Sequence, residues 1–322
     1  MTGQRRTRLA AALWMAVGAM VAASPAARAE DDAEAQSRFL QTLYRQGADT
    51  YQFFADAEHK VKLEREAKPV LHWASPNDWS GDLFIWQRGG RPEVVGCILS
   101  GPQPGGDRMF FHEFHALSTA PLAPQKLPDG QDWIPRTTGL EYRPIPDAPL
   151  PAGTEKARLT QMRSLARAFD VRTQFDGAEW ELRLLPQPMF RYQRPAENPS
   201  SEWLDGAVFT YVLTTGTDAE VLVLVEARKG ADGNWQWQYA PARITNRPAW
   251  IRLGDAEVWR VDTHTEEAGA ITRPYTTFYA GHKTAAELKD LRAAQPAAEP
   301  AESTGALPRP LPADAPAPAP KS

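Results

Sequence analysis

Apolar residues recur along this chain with three spacings, and each spacing predicts a different element. Between Asp31 and Phe54, the residues Phe39, Leu40, Leu43 and Tyr44, then Tyr51, Phe53 and Phe54, fall mostly three and four apart. That is the repeat of an amphipathic helix, with Gly47 expected to break it. Thr154 to Phe169 repeats the pattern, with Thr154 as N-cap and Leu159, Met162, Leu165, Ala166 and Phe169 on one stripe. Further on the period falls to two. Trp235, Trp237 and Tyr239 alternate with Gln236 and Gln238, which predicts a strand buried on one face and solvated on the other. The turn Ala231-Asp232-Gly233 joins that strand in a hairpin to Glu220–Ala227. Val221 to Val225 is apolar at every position, so this strand is expected to be central and covered on both faces. A second hairpin is expected over Arg252–Val261, around Gly254-Asp255. Pro186 and Pro188 cannot donate ladder hydrogen bonds, which puts Leu184 to Tyr192 at an edge or bulge.

The same succession of positions occurs twice. Leu63, Pro69 and Trp73 align with Leu182, Pro188 and Tyr192 at an offset of 188 − 69 = 119. Gly81-Asp-Leu-Phe-Ile-Trp86 then meets Gly206-Ala-Val-Phe-Thr-Tyr211 at 206 − 81 = 125, and Glu93 to Leu99 meets Glu220 to Glu226 at 220 − 93 = 127. Leu117 and Ile244, Pro121 and Pro248, and Trp133 and Trp259 continue the series. Gaps confined to loops, with apolar positions held in register, are what a tandem duplication leaves. The expected fold is therefore α+β and β-rich overall, an internally duplicated unit of one helix followed by several antiparallel strands. Residues 30–153 form the first copy with a Pro-rich connector, and residues 154–292 form the second. Cys97 faces Leu224 in this alignment and reads as a small core hydrophobe.

Composition changes the picture chiefly at the two ends. Met1 to Ala29 has a basic start, an Ala-rich apolar run and a small-x-small site at Ala27-Arg28-Ala29, the layout of a signal peptide. Export to the periplasm or the extracellular space is expected, with no stable membrane span after cleavage, because no second apolar run follows. Residues 293–322 are Pro, Ala and Glu with almost nothing to bury, a composition expected to be disordered. Loss of Arg5, Arg6, Arg8 and Arg28 would leave 32 basic against 40 acidic residues, a net charge of −8. Such a balance without a basic run argues against nucleic acid as a partner.

No motif in the chain fixes a chemistry. His112-Glu113-Phe114-His115 is one residue short of the zincin spacing and lies in a predicted strand, where residues three apart face opposite ways, so no metal is expected. No cofactor-binding signature is present. Glu93 and Glu220 hold equivalent places at strand starts and, with Asp205, are the candidate catalytic acids; solvated strand-end acids are the simpler reading of the pair. Trp73, Arg191, Tyr192 and Trp235 are the candidate ligand contacts, although a Trp stripe at strand spacing is also what a core strand shows.

The run Glu181-Leu-Arg-Leu-Leu-Pro-Gln-Pro188, with Arg191-Tyr192, Asp205-Gly-Ala-Val-Phe209, Glu220 to Ala227 and Phe111 to Ser118, resembles a family of predicted secreted bacterial proteins of uncharacterised activity. The resemblance implies secretion and carries no ligand or catalytic residue. The function expected from the chain is a non-catalytic exported binding protein, its ligand a protein, peptide or glycan held between the copies. The alternative is an exported hydrolase using acids in that groove.

Overall fold

The computed structural model describes residues 25–128, 130–198, 201–265 and 270–295. The expected leader lies outside the described residues up to position 24, as does the expected tail from position 296. The chain divides into two compact units, Met1–Leu40 and Gln41–Ser322. Helix α1, Pro25–Asp49, starts in the first and ends in the second. Every strand among the described residues belongs to the second.

After α1 come strands β1 (Glu64–Arg65), β2 (Leu71–Ala74), β3 (Ser80–Arg88), β4 (Arg91–Pro102) and β5 (Arg108–Ala116). A two-stranded ribbon, β6 (Gln125–Lys126) with β7 (Asp132–Trp133), and the short β8 (Arg143–Pro144) lead to helix α2 (Glu155–Ala166). Next are β9 (Phe169–Phe175), β10 (Ala178–Glu181), β11 (Arg183–Leu184), β12 (Phe190–Gln193), β13 (Trp203–Val212), β14 (Ala219–Lys229) and β15 (Trp235–Arg243). The chain continues through β16 (Ala249–Leu253), β17 (Ala256–Val261), β18 (Tyr275–Lys283) and helix α3 (Ala285–Ala294). All strand pairings among the described residues are antiparallel, and the fold is α+β and rich in strand. No helix among the described residues is long and apolar enough to cross a membrane.

Two six-stranded sheets carry the architecture. The first runs β1-β3-β4-β5-β18 with β2 also on β3; the second runs β11-β13-β14-β15-β8 with β12 also on β13. They pack face to face: Leu83, Ile85, Val95 and Cys97 meet Val208, Leu222, Leu224, Ala240 and Ala242 in one core. Strand geometry sends the intervening residues to the opposite faces. On the outer face of the first sheet, the Tyr44 hydroxyl of α1 lies 2.8 Å from Ser80 Oγ and 2.7 Å from Ser100 Oγ. On the outer face of the second, Met162 and Ala166 of α2 join Phe209, Tyr211, Val221 and Val223 in another core. That core also holds Phe169, Val171, Ala249 and Ile251 from a separate four-stranded sheet, β10-β9-β16-β17. Each face of β14 therefore belongs to a core, as its unbroken apolar run requires.

Three local expectations are corrected. Gly47 does not break α1, which continues to Asp49; a Cβ there would lie 3.2 Å from Ile98 Cγ2, so the glycine serves close approach of helix to sheet. Phe169 belongs to β9 rather than to the second helix, which stops at Ala166. Gln238 is not on a solvated face: β8 pairs beside it and leaves it 9% exposed.

Cys97 is buried, and Trp73 Nε1 donates to its sulfur at 3.3 Å. Burial, and then the charge of Glu113, push its thiol well above the ordinary cysteine range. The native protein is expected to resist a bulky thiol reagent and to be labelled stoichiometrically in denaturant; rapid labelling of native protein would contradict this burial.

Candidate ligand-binding cleft

Between the two sheets the shared core opens at one end into a cleft of about 710 Å³. Trp73, Leu99, Ala219 and Ile244, which belong to or pack against the inter-sheet core, also line it. Further out are Trp79 and Phe111, whose rings stack with centroids 5.9 Å apart, and Phe175 and Trp180. The last two sit on one face of the β9–β10 hairpin, whose turn at Asp176-Gly177 has positive φ at both residues (50° and 75°). An Asp-Gly pair accommodates that turn, and it matches the strand twist. Trp180 Nε1 donates to the Phe175 carbonyl at 3.3 Å, which fixes the indole beside the phenyl ring.

The polar groups of the cleft are unequal in charge. Glu113 projects from β5, in register with Cys97 on β4 and Thr277 on β18, and accepts a hydrogen bond from the Tyr275 hydroxyl at 2.9 Å. Burial raises its carboxyl to about 7; the charge of Glu220 acts in the same direction, against the Tyr275 hydrogen bond, Arg243 and Arg247. Asp218, just before β14, is pushed well above the carboxylate range by burial and then by Glu220 and Glu113. Glu220 is also raised by burial, opposed by its ion pair with Arg247. The Arg247 guanidinium lies over the Phe175 ring, 4.2 Å from its centroid. Chemically, this is a partly apolar cleft in which the Glu113 carboxyl can donate as well as accept a proton near neutral pH.

Glu113 carries a pH prediction. Its folded carboxyl stays protonated to about 7, whereas an unfolded glutamate ionises near the ordinary value. The unfolded state therefore loses its proton first, and stability falls as pH rises from about 4.5 to about 7. Glu113→Gln keeps an acceptor for Tyr275 and removes the titration. Its stability relative to wild type should rise by roughly 1–3 kcal/mol between pH 5 and pH 8 in urea melts. An offset that is the same at both pH values would mean that Glu113 is ionised throughout.

The residues singled out in the sequence are mostly elsewhere. Glu93 and Glu220 are not solvated strand-end acids: they are 7% and 1% exposed, because β4 and β14 are central strands covered from their first residues. Each has its own arginine, Glu93 lying 3.8 Å from Arg91 and 3.6 Å from Arg88, and Glu220 pairing with Arg247. Asp205 is fully buried between Arg158 and Arg191. Tyr192 donates to Glu226 at 2.7 Å in the interior. Trp235 lies under Arg194 and Lys229, and of the four proposed contacts Trp73 alone is in the lining.

Sequence reasoning passed over Glu113 and Asp218. A signal for Glu113 was present, since at the offset of 127 it aligns with Ala240, a core residue of the inter-sheet space. An acid where the other sheet has a buried alanine breaks the pattern. His112 and His115, its neighbours, face opposite ways: His112 Nδ1 lies 2.5 Å from the Tyr51 hydroxyl, and His115 Nδ1 bonds the Ala116 carbonyl. No group of three or more His, Cys, Asp or Glu placed to hold a metal occurs among the described residues.

A second cavity of about 700 Å³, lined by His115, Arg243, His264, Arg273 and Tyr275 among others, lies beyond the Tyr275 ring. Arg243 there donates to the carbonyls of Thr245, Asp262 and Arg247. Burial, with Arg243 and Arg273, lowers His264 to about 4. Burial and Arg243 do the same to His115.

The chain matches no family model, no curated protein and no solved structure.

Proposed function

We propose that this chain is an exported binding protein that holds its ligand, unchanged, in the cleft between two copies of one α+β unit, residues 30–153 and 154–292. The carrying observation is the cleft itself: its walls come from both six-stranded sheets, and its lining combines the aromatic rings of Trp79, Phe111, Phe175 and Trp180, none of them buried, with polar groups. The signal-like leader supports export, in keeping with the resemblance to secreted bacterial proteins.

The duplication is supported by registers that recur at the sequence offsets. Leu71 pairs with Leu83 as Phe190 pairs with Val208, and Phe84 pairs with Gly96 as Phe209 pairs with Val223. Leu117 N–H donates to the Glu93 carbonyl at 2.7 Å, and Ile244 N–H to that of Glu220 at 3.0 Å. Gly81 admits the Trp73 ring and Gly206 the Tyr192 ring, at 2.8 Å and 2.5 Å from where a Cβ would stand. Each copy also lends a strand to the other's sheet, β8 to the second and β18 to the first. A fragment ending near Pro151 therefore lacks β18 and exposes the face of Leu83, Ile85 and Val95. It is expected to be aggregated or molten when expressed alone, and a soluble fragment with a cooperative melt would mean that the copies are independent.

One observation favours a hydrolase instead. Glu113, whose carboxyl burial raises to about 7, shares the cleft lining with Asp218, which burial raises as well, and a carboxyl that keeps its proton toward neutral pH is what a general acid requires. Glu113 and Asp218 would then take the place of Glu93, Glu220 and Asp205, which are committed to arginines. Labelled mature protein on glycan and peptide arrays, followed by mass spectrometry of each captured ligand after long incubation, separates the two readings. Intact ligand is expected; cleavage abolished by Glu113→Gln would make the protein a hydrolase.

A further inference from the structure

Charge in the cleft is out of balance. Its lining includes one basic residue, Arg247, against Glu113 and Asp218. Arg247 is already engaged, its guanidinium paired with Glu220 and seated on the Phe175 ring. Among the described residues neither Glu113 nor Asp218 forms an ion pair, and both are partly exposed. Glu220 beside them is 1% exposed and leaves Oε2 without a hydrogen-bond partner.

We infer that the cleft receives an organic cation, an alkylammonium or guanidinium group, with Glu113 and Asp218 meeting its charge and Trp79, Phe111 and Trp180 covering its carbon. The inference rests on the reading of this cleft as the ligand site. Arg247 is its internal precedent: one cation of the protein's own is held there between a carboxylate and an aromatic face, and the ligand's would be held by the remaining carboxyls and rings. Aromatic faces attract cations most strongly where water is partly excluded. An anionic ligand would meet the carboxyls of Glu113 and Asp218, and the basic residue of the lining, Arg247, is already engaged with Glu220. A neutral sugar could stack on the same rings, but it would leave both carboxyls of the lining without a partner for their charge once they ionise.

Titration gives the cation a signature of its own. The groups facing Glu113 are Tyr275 and Thr277 from β18, Cys97 from β4, Asp218 just before β14, and Glu220, Arg243 and Arg247 from the second sheet and the loop after it. Those facing Asp218 are Glu220, Glu113 and Arg247. Both carboxyls hold protons to higher pH than usual because the ionised forms are desolvated and adjacent. A bound cation favours the ionised forms, so it must expel protons, and its affinity must rise with pH until the acids are ionised without it.

The test is titration calorimetry of the full mature chain in two buffers of different ionisation enthalpy, at pH 6 and pH 8. The cationic probes are N-acetyl-arginine amide, N-acetyl-lysine amide and a glucosamine trisaccharide. Their neutral counterparts are N-acetyl-norleucine amide and the N-acetylated trisaccharide. At least one cationic probe is expected to bind roughly tenfold or more tightly at pH 8 than at pH 6, with proton release, while its neutral counterpart does not bind. Binding by the amino-acid amides would identify a basic side chain as the source, and binding by the amino sugar a glycan. Glu113→Gln with Asp218→Asn should abolish binding at both pH values while the melting temperature at pH 6 is retained, since these substitutions imitate the protonated forms. Equal binding of charged and neutral probes, binding that survives the double substitution, or no binding of any cationic probe would overturn the inference. The cleft reading is judged separately, by whether Trp180→Leu removes binding of whichever ligand the arrays capture.

Discussion

Asp205→Ala is expected to destabilise the protein by about 3–5 kcal/mol, the cost of leaving a buried cation without its counter-ion. Asp205 is fully buried on β13. Its Oδ2 accepts from Arg158 Nε at 2.7 Å and from Arg191 Nη2 at 2.9 Å, and its Oδ1 from Arg191 Nε at 3.3 Å. Arg158 is 7% exposed, on the inward side of α2, with Nη1 donating to the carbonyls of Ala152 and Gly153. With the carboxylate gone, those carbonyls cannot neutralise the guanidinium, and water reaches it only if α2 lifts from the sheet. Removing both charges should behave differently. Asp205→Leu combined with Arg158→Met takes away the desolvation cost together with the attraction, so the pair should recover most of the loss. Urea melts followed by tryptophan fluorescence give both quantities; a single-variant loss below about 1 kcal/mol would mean that Arg158 is hydrated in place.

That role for Asp205 shows where the sequence was legible and where it was not. Strand and hairpin positions could be read because they rest on local alternation: Val221–Val225 had to be central, and Pro186 and Pro188 had to interrupt an edge. Each follows from backbone chemistry within a few residues. The four-stranded sheet was not legible, because β9 and β10 find β16 and β17 across a long stretch of chain, and no periodicity records that partner. The pairings of β8 with β15 and of β18 with β5 were hidden for the same reason. Burial of charge was misread most consistently. Glu220 and Asp205 are enclosed only when Arg247, Arg158 and Arg191 are brought to them by contacts distant in sequence, and Glu93, two residues from its partner Arg91, is covered because β4 is central to its sheet. The cleft acids escaped notice in the complementary way, since Glu113 gains its character from burial between the sheets and from the charge of Glu220, neither of which is local in sequence.

Truncation of Phe84 and Phe209 should affect both sheets alike. Both side chains are fully buried, each at the centre of a long strand one residue from the inter-sheet core: Leu83 and Ile85 flank Phe84, and Val208 precedes Phe209. Alternation therefore turns Phe84 toward the outer face of the first sheet and Phe209 toward α2 on the outer face of the second. Phe84 lies 6.4 Å from the Trp86 ring and carries the Arg65 guanidinium over its own at 5.3 Å. Phe209 packs in the cluster of Met162, Ala166, Val223 and Ile251. In each place the surroundings are strands hydrogen-bonded on both sides, which cannot collapse far into the space a phenyl leaves. Phe84→Ala and Phe209→Ala should thus each cost about 3–5 kcal/mol, whereas Gln236→Ala, at a half-buried strand start, should stay within about half a kcal/mol. The two losses should also add to within about half a kcal/mol in the double variant, because the cavities open on opposite outer faces with the inter-sheet core between them. A large penalty at one phenylalanine and a small one at the other would show that the outer cores are not built alike, and the case for one unit used twice would lose its energetic support.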